Sequence, residues 1–387
     1  MIQSVLDNDL YKVSMAYLYM KQFPYAKGKF QFKDRDNDTY TKEFVEDLKQ
    51  ELWKTNSLKL SKDELKWCKK NITYIPPFFW EWLSSFRYNP ELIDISLDKD
   101  KHLSIDITGD IVHASMWEVP LLAIISELWY KYNNMRTKVD DVIDKLEPKI
   151  ELSNREAILF SDFGTRRRFS SSVQDTIIKY IKKNSLFCTG TSNIFYAKEY
   201  GLRPIGTQAH EVFSFVGSQF GYKHANYLLM EKWIDAYDGD LGIALTDTFT
   251  SKVFFENFSM KHAKLFDGIR QDSGDPFEFV NQAIERYRQL GIDPSTKTII
   301  FSDSLDFNRA LELKNYCNNR IRCAFGIGTN LTNDCGHKPK NIVIKLVKSK
   351  MTKNTPWRDC IKLSDVEGKH IGNEDEIYRC KEECGLL

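Results

Sequence analysis

From about residue 156 onward the chain repeats one pattern: a short apolar run, a polar turn, then a stretch with apolar residues at helical spacing. The runs are 157–160, 186–188, 204–205, 243–245, 264–266, 298–301, 324–327 and 342–346. Helical stretches lie between several of them, at 171–183, 222–237, 276–290 and 307–315. Strand alternating with helix predicts parallel β/α architecture. The pattern also constrains where chemistry can sit, because ligands of such folds bind beyond the carboxyl ends of the strands. The residues just after the runs are rich in hydroxyls, glycine and carboxylates: Ser161-Asp162-Phe163-Gly164-Thr165-Arg166, Thr189-Gly190-Thr191-Ser192-Asn193, Gly206-Thr207-Gln208-Ala209-His210-Glu211, Thr246-Asp247-Thr248, Asp267 through Asp275, Ser302-Asp303-Ser304 and Gly328-Thr329-Asn330. An ordinary polar turn accounts for any one of these and less well for the whole set.

The first part of the chain mixes signals. Residues 7–20 carry apolar side chains at helical spacing with Asp7 or Asn8 as cap, and 27–32 and 103–107 alternate as strands. Stretches 43–53 and 61–71 read as helices, the second opened by a capping box at Ser61 and Glu64. Residues 116–132 form an apolar helix with Pro120 in its first turns, expected to serve as core or as a subunit contact. With 387 residues the chain is long enough for two domains. A net charge of +1 argues against a broad basic surface for nucleic acid, though not against a local phosphate pocket. The N-terminus lacks a signal-peptide pattern, and the longest apolar run, 119–125, is too short to span a bilayer, so no membrane partner is expected. Eight cysteines without zinc-type spacing predict reduced thiols in the cytoplasm.

The turns suggest particular chemistry. His210 can pass a proton near neutral pH or carry a phosphoryl group, although a lone histidine in a turn more often satisfies a loop carbonyl. Asp247 is a candidate carboxylate partner that would orient it. Arg166-Arg167-Arg168 follows a strand end and suits anions, whereas a triple arginine is more often surface. Asp272 and Asp303 can hold ribose hydroxyls or a Mg²⁺ ion, with helix capping the plainer role for this group of aspartates, as at Asp275-Pro276. Gly326-Ile327-Gly328-Thr329-Asn330 is a candidate phosphate cradle, but it lacks the third glycine of a dinucleotide fingerprint, and no Walker A sequence is present. These residues alone describe a cytoplasmic β/α enzyme acting on a phosphorylated sugar or nucleotide.

Taken in order, the turns resemble the nicotinate phosphoribosyltransferase family essentially end to end. The specific parts are Phe163-Gly164-Thr165-Arg166-Arg167-Arg168-Phe169-Ser170, Gly190-Thr191-Ser192-Asn193, the Gly206 to Glu211 turn, Arg270-Gln271-Asp272-Ser273-Gly274-Asp275-Pro276, Phe301-Ser302-Asp303-Ser304-Leu305-Asp306, and the opening Asp7-Asn8-Asp9-Leu10-Tyr11-Lys12. The resemblance implies a type II phosphoribosyltransferase fold: an irregular β/α barrel over 113–334, and a second α/β, sandwich-like domain built from 1–112 with 335–387. It implies transfer of phosphoribosyl from 5-phosphoribosyl 1-diphosphate to nicotinate in NAD biosynthesis, coupled to ATP hydrolysis, with Mg²⁺ required and a homodimer as the working unit. In that family's terms Phe163 would stack on the pyridine ring with Tyr11, from the partner subunit, on its other face. Arg270 and Thr207 would lie near the nicotinate carboxylate, and Arg166 would serve the ring or the phosphates. Asp272 and Asp303 would contact ribose hydroxyls or Mg²⁺, Gly328 and Thr329 the 5-phosphate, and His210 would be the residue that ATP phosphorylates. Ser192 stands where related nicotinamide-using enzymes carry an aspartate, which favours an anionic substrate. The alternatives are a nicotinamide phosphoribosyltransferase and a non-catalytic sensor of NAD precursors.

Overall fold

A computed structural model describes residues 1–366 and 370–387. Among the described residues eleven strands form: β1 (Lys27–Asp34), β2 (Ile93–Leu97), β3 (Leu103–Asp110), β4 (Phe160–Asp162), β5 (Cys188–Thr191), β6 (Ile243–Leu245), β7 (Gly268–Gln271), β8 (Thr298–Phe301), β9 (Arg322–Ile327), β10 (Ile342–Lys350) and β11 (Arg358–Asp359). The chain divides into two compact units, one of Met1–Tyr17, Gly28–Gly206 and Ile327–Lys345, the other of Leu18–Lys27, Thr207–Gly326 and Leu346–Leu387. This division by packing is a different cut from the family layout of 1–112 with 335–387 against 113–334.

In the first unit β1, β3 and β2 are sheet neighbours in that order, with β2 and β3 antiparallel from Ile93↔Ile107 to Leu97↔Leu103. In β1 alternate residues, including Phe30 and Phe32, are buried, which is the period a half-buried strand requires. The capping box at Ser61 forms: its hydroxyl accepts from the Glu64 amide, and the Glu64 carboxylate accepts from the Ser61 amide, opening the helix Lys62–Asn71. The apolar stretch becomes the helix Glu118–Tyr132, buried from Glu118 to Ser126. Together with the short helix Ile111–Ser115 before it, Ile111–Tyr132 is long and apolar enough to cross a membrane, but 94% of its most apolar window lies inside the fold, as a core helix does.

Two expectations change in this unit. Asp7 and Asn8 do not cap the first helix, which begins at Leu10. Asn8 donates to Tyr88 Oη and to the Met116 carbonyl. Asp7 takes a two-pronged bond from Arg168, Nη1 to Oδ1 at 2.8 Å and Nη2 to Oδ2 at 3.0 Å, with both side chains fully buried. The third arginine of the triple is therefore interior. A buried guanidinium needs its charge matched and its donors filled, and Gln174 and the Met1 carbonyl fill two more.

In the second unit β6 to β9 run parallel in the order β9-β8-β7-β6. The runs at 243–245 and 298–301 are strands as expected. The run at 264–266 is not: Met260–Leu265 is a helix, because Ser259 and His262 form a capping box that starts it, and the strand begins later, at Gly268. In the first unit, Arg203-Pro204-Ile205 forms only an isolated bridge beside β5, where Thr191 bonds both Arg203 and Ile205. Asp275 caps the helix Pro276–Gln289 through the amides of Phe277 and Glu278. All eight cysteines are free.

Replacing Asp7 by Asn leaves the Arg168 guanidinium buried without a counter-charge. The expected outcome in urea denaturation is a loss of about 3–5 kcal/mol; a loss of under about 1 kcal/mol would mean the pair is incidental.

Candidate functional site

His210 does not lie in a turn. It is the first residue of the helix His210–Phe220, and Ala209 at the cap position offers no side-chain bond. The imidazole therefore stands at the positive end of a helix dipole. Its Nδ1 lies 2.9 Å from Thr248 Oγ1. Its Nε2 lies 3.0 Å from Asp272 Oδ2 and 2.9 Å from the Lys362 ammonium. Asp247 is further off, 3.8 Å from Nε2, and is engaged instead by Lys362 at 3.2 Å and by the Ser273 hydroxyl at 2.6 Å. Burial and the Lys362 charge push the imidazole down to about 4, against the pull of Asp247 and Asp272. The ring is neutral at physiological pH. Burial alone would raise the Asp272 carboxyl, but its contact with His210 and the charges of Arg270 and Lys362 hold it well below the usual carboxylate range.

Strand ends position these groups. Asp247 follows β6, Asp272 follows β7, and Ser302 follows β8 and donates to Asp272 Oδ1 at 2.6 Å. Thr207 donates to the Ile243 carbonyl at 2.9 Å, and Arg270 Nη1 donates to the Gln208 carbonyl at 3.0 Å. Asp303 accepts from the Ser304 hydroxyl. The segment carrying Lys362 is held from several sides. Leu363 N donates to the Thr248 carbonyl at 2.8 Å, Ser214 Oγ to the Ile361 carbonyl at 2.8 Å, and Ser364 Oγ to Ser273 Oγ at 3.0 Å. Asp365 accepts from the Ser251 amide at 2.6 Å.

The ligand atoms of His210, Asp247 and Asp272 lie within 4.8 Å of one another. The Lys362 ammonium contacts two of the three, so a cation among them would meet a like charge. Asp272 and Asp303, oxygen donors after β7 and β8, have the chemistry Mg²⁺ prefers. A second acidic trio, Asp34, Asp36 and Asp38, is matched by Lys340 and Lys338.

The first unit carries the other sequence candidates. The Phe163 amide donates to the Ile327 carbonyl at 2.8 Å, and a Cβ on Gly328 would stand 3.4 Å from the Phe163 carbonyl. Gly164 permits a closer approach still: a Cβ there would meet Thr332 Oγ1 at 2.1 Å. Thr329 opens the short helix Thr329–Thr332. Arg166 pairs with Glu118 at 3.2 Å and lies over the Tyr11 ring, 6.0 Å from its centroid. Lys12 is 2.5 Å from the other Glu118 oxygen. Burial would raise Glu118, but Lys12 and Arg166 hold it down to about 2. Ser192 is buried, and its hydroxyl donates to Asp9 Oδ1 at 2.7 Å. Burial raises Asp9 to about 6, limited by the Ser192 bond and by Arg166. A carboxyl thus stands against Ser192 even though position 192 itself is neutral, which weakens the inference from neutrality to an anionic substrate.

Thr248, Lys362, Glu118 and Asp9 escaped sequence reasoning as site residues. Asp9 lay inside a quoted motif and Thr248 inside a quoted turn, while nothing in the local sequence marks Lys362.

Residues 158–379 match the model of the nicotinate phosphoribosyltransferase (NAPRTase) family, and residues 6–126 match that of the NAPRTase N-terminal domain. The chain is similar to nicotinate phosphoribosyltransferase of Chromohalobacter salexigens, 43% identical over 98% of each chain. It is similar in structure to nicotinate phosphoribosyltransferase of Porphyromonas gingivalis, with a TM-score of 0.98 and 45% identity over 100% of both chains. The enzyme of Vibrio cholerae matches with a TM-score of 0.94 and 32% identity over 100% of this chain and 95% of that one. The fold is theirs, the type II phosphoribosyltransferase fold with one parallel and one antiparallel sheet.

Glu118 yields a pH prediction. Its folded value of about 2 lies below the ordinary 4.5, so its contribution is present above about pH 4.5 and is lost as pH falls through 2. Glu118→Gln is expected to cost on the order of 3 kcal/mol at neutral pH, the gap closing as acid is added. A gap independent of pH, in urea titrations at several pH values, would show that packing and not charge is lost.

Proposed function

The chain belongs to the nicotinate phosphoribosyltransferase family, and from that premise we propose that it joins nicotinate to 5-phosphoribosyl 1-diphosphate, coupled to ATP through phosphorylation of His210. The products are nicotinate mononucleotide and diphosphate, and the setting is NAD biosynthesis. The observation that carries the coupling is a neutral imidazole at a helix start, with Nδ1 anchored on Thr248 and Nε2 beside a lysine ammonium. A helix N-terminus favours the negative charge that a phosphoryl group brings.

In the transfer step the pyridine nitrogen forms a bond to C1 of the ribose. The bond from C1 to the diphosphate oxygen breaks, and its electron pair leaves with diphosphate. Positive charge builds on the sugar meanwhile, so orientation and oxyanion stabilisation dominate catalysis. Phe163 supplies a ring to stack on the pyridine, worth on the order of 1 kcal/mol beyond area burial, and Tyr11, contributed across a homodimer, covers the other face. Arg270 and Thr207 receive the carboxylate, the guanidinium fork being able to bond both oxygens. Arg166 serves the ring or the phosphates, and Ser192 and Asp9 together form a polar contact for the ring substituent. The Gly328–Thr329 turn presents backbone amides to the 5-phosphate. Asp272 and Asp303 bind the ribose hydroxyls or hold Mg²⁺, which when bound neutralises diphosphate charge. Phosphorylation of His210 then acts as an affinity switch with no need of a P-loop. We place the enzyme in the cytoplasm.

The test is incubation with 5-phosphoribosyl 1-diphosphate, Mg²⁺ and ATP plus either nicotinate or nicotinamide, read by product mass. Nicotinate mononucleotide is expected, with nicotinamide a poor substrate; equal use of both bases would sink the assignment of substrate. His210→Ala is expected to fold and to lose the ATP stimulation, a coupling of about 5–150-fold in allosteric systems generally. Undiminished ATP stimulation in that variant would remove the phosphorylation role.

A further inference from the structure

We infer that Lys362 is a positioning residue for phosphoryl transfer: it selects the His210 tautomer with a free Nε2 lone pair, and its ammonium then pairs with the phosphoryl group received there. The inference rests on the reading of His210 as the phosphoryl acceptor and assigns the C-terminal segment 360–365 a part in that step.

An ammonium only donates. At 2.9 Å from Nε2 it can hydrogen-bond that nitrogen only if the nitrogen carries a lone pair. The ring hydrogen then sits on Nδ1, where Thr248 Oγ1 at 2.9 Å can accept it. Asp272 Oδ2, 3.0 Å from the same Nε2, makes the opposite demand, since a carboxylate favours an N–H there. A ring left to Asp272 alone would hold its hydrogen on Nε2 and offer no lone pair at that atom. Lys362 opposes this, and Asp247, paired to the same ammonium at 3.2 Å, holds it in place.

In the step itself the Nε2 lone pair forms a bond to the γ-phosphorus of a nucleoside triphosphate. The bond from that phosphorus to the β–γ bridging oxygen breaks, and its electron pair leaves with the nucleoside diphosphate. Nδ1 keeps its hydrogen throughout. The ring gains positive charge, which Asp272 offsets, and the new phosphoryl oxygens lie where the ammonium can reach them. Lys362 is preorganised for this, because Ile361, Leu363 and Ser364 on either side of it are each hydrogen-bonded to the body of the unit, and its own amide and carbonyl bond Ile371.

The experiment compares wild type with Lys362→Met, Lys362→Gln and Lys362→Arg. Each is incubated with γ-labelled ATP and Mg²⁺, and the initial rate of acid-labile, base-stable labelling of the protein is measured beside a urea melt. Labelling is expected to slow by about 10²-fold in the Met and Gln variants, with a wild-type melt, and to recover to within about tenfold in the Arg variant. Wild-type labelling in Lys362→Met, or in Lys362→Gln should the Met variant not fold, would overturn the assignment. So would a loss that tracks a lowered melt and is not rescued by Arg, which marks a structural role. If wild type itself takes no label, the reading of His210 falls, and this inference with it; if wild type is labelled and the variants equally so, this inference alone falls.

Discussion

The register of the parallel strands is what the candidate site depends on. Leu245 of β6 pairs with Arg270 of β7, and Gln271 of β7 pairs with Phe301 of β8. Two residues beyond Leu245 comes Asp247, two beyond Arg270 comes Asp272, and one beyond Phe301 comes Ser302. Parallel pairing thus delivers two carboxylates and a hydroxyl to one level at one edge of the sheet. A slip of one residue would turn each of them to the other face. The hydrogen bond from Ser302 to Asp272 is the local result of that alignment.

Like charges gathered this way repel and resist burial, and the second unit resolves the conflict with a cation from a distant part of the chain. Lys362 lies against Asp247 and His210, and the helix His210–Phe220 points its positive end at the same place. The consequence is an imidazole that stays neutral and a carboxylate, Asp272, that stays ionised. Divergent protonation states in one cluster are the usual arrangement of groups with different chemical tasks.

The first unit solves a similar problem with different partners. Arg168, Asp7, Gln174 and Asn193 form a buried network in which each charge is matched. Asp162 joins it through Gln174 and also accepts from Thr191 and from the Gly164 amide. Chain segments far apart in sequence are tied by these bonds, so the loop bearing Phe163 and Arg166 starts from a rigid base. Asp9 is the exception. Its burial is only partly offset, by the Ser192 hydroxyl and the Arg166 charge, and its carboxyl titrates high as a result.

Local sequence was enough for features whose physics is local. The strands at 243–245 and 298–301, the capping box at Ser61 and Glu64, the Asp275 cap and the apolar helix ending at Tyr132 all follow from periodicity and capping over a few residues. His210, Asp272 and Arg270 were visible because they follow short apolar runs, although Arg270 lies within β7 and the run before His210 forms only an isolated bridge. The run at 264–266 misled because an apolar triplet fits helix or strand alike, and the Ser259 cap decided for helix. Asp7 looked like a cap until a guanidinium 161 residues away claimed it. Tertiary structure alone decided which carboxylate approaches His210 more closely, that Asp9 lies against Ser192, and that the tail supplies Lys362. Each of these is a contact across 62 to 183 residues of sequence. Pairings of that range are selected by the desolvation and matching of charge in the folded interior, and no window of sequence contains both partners.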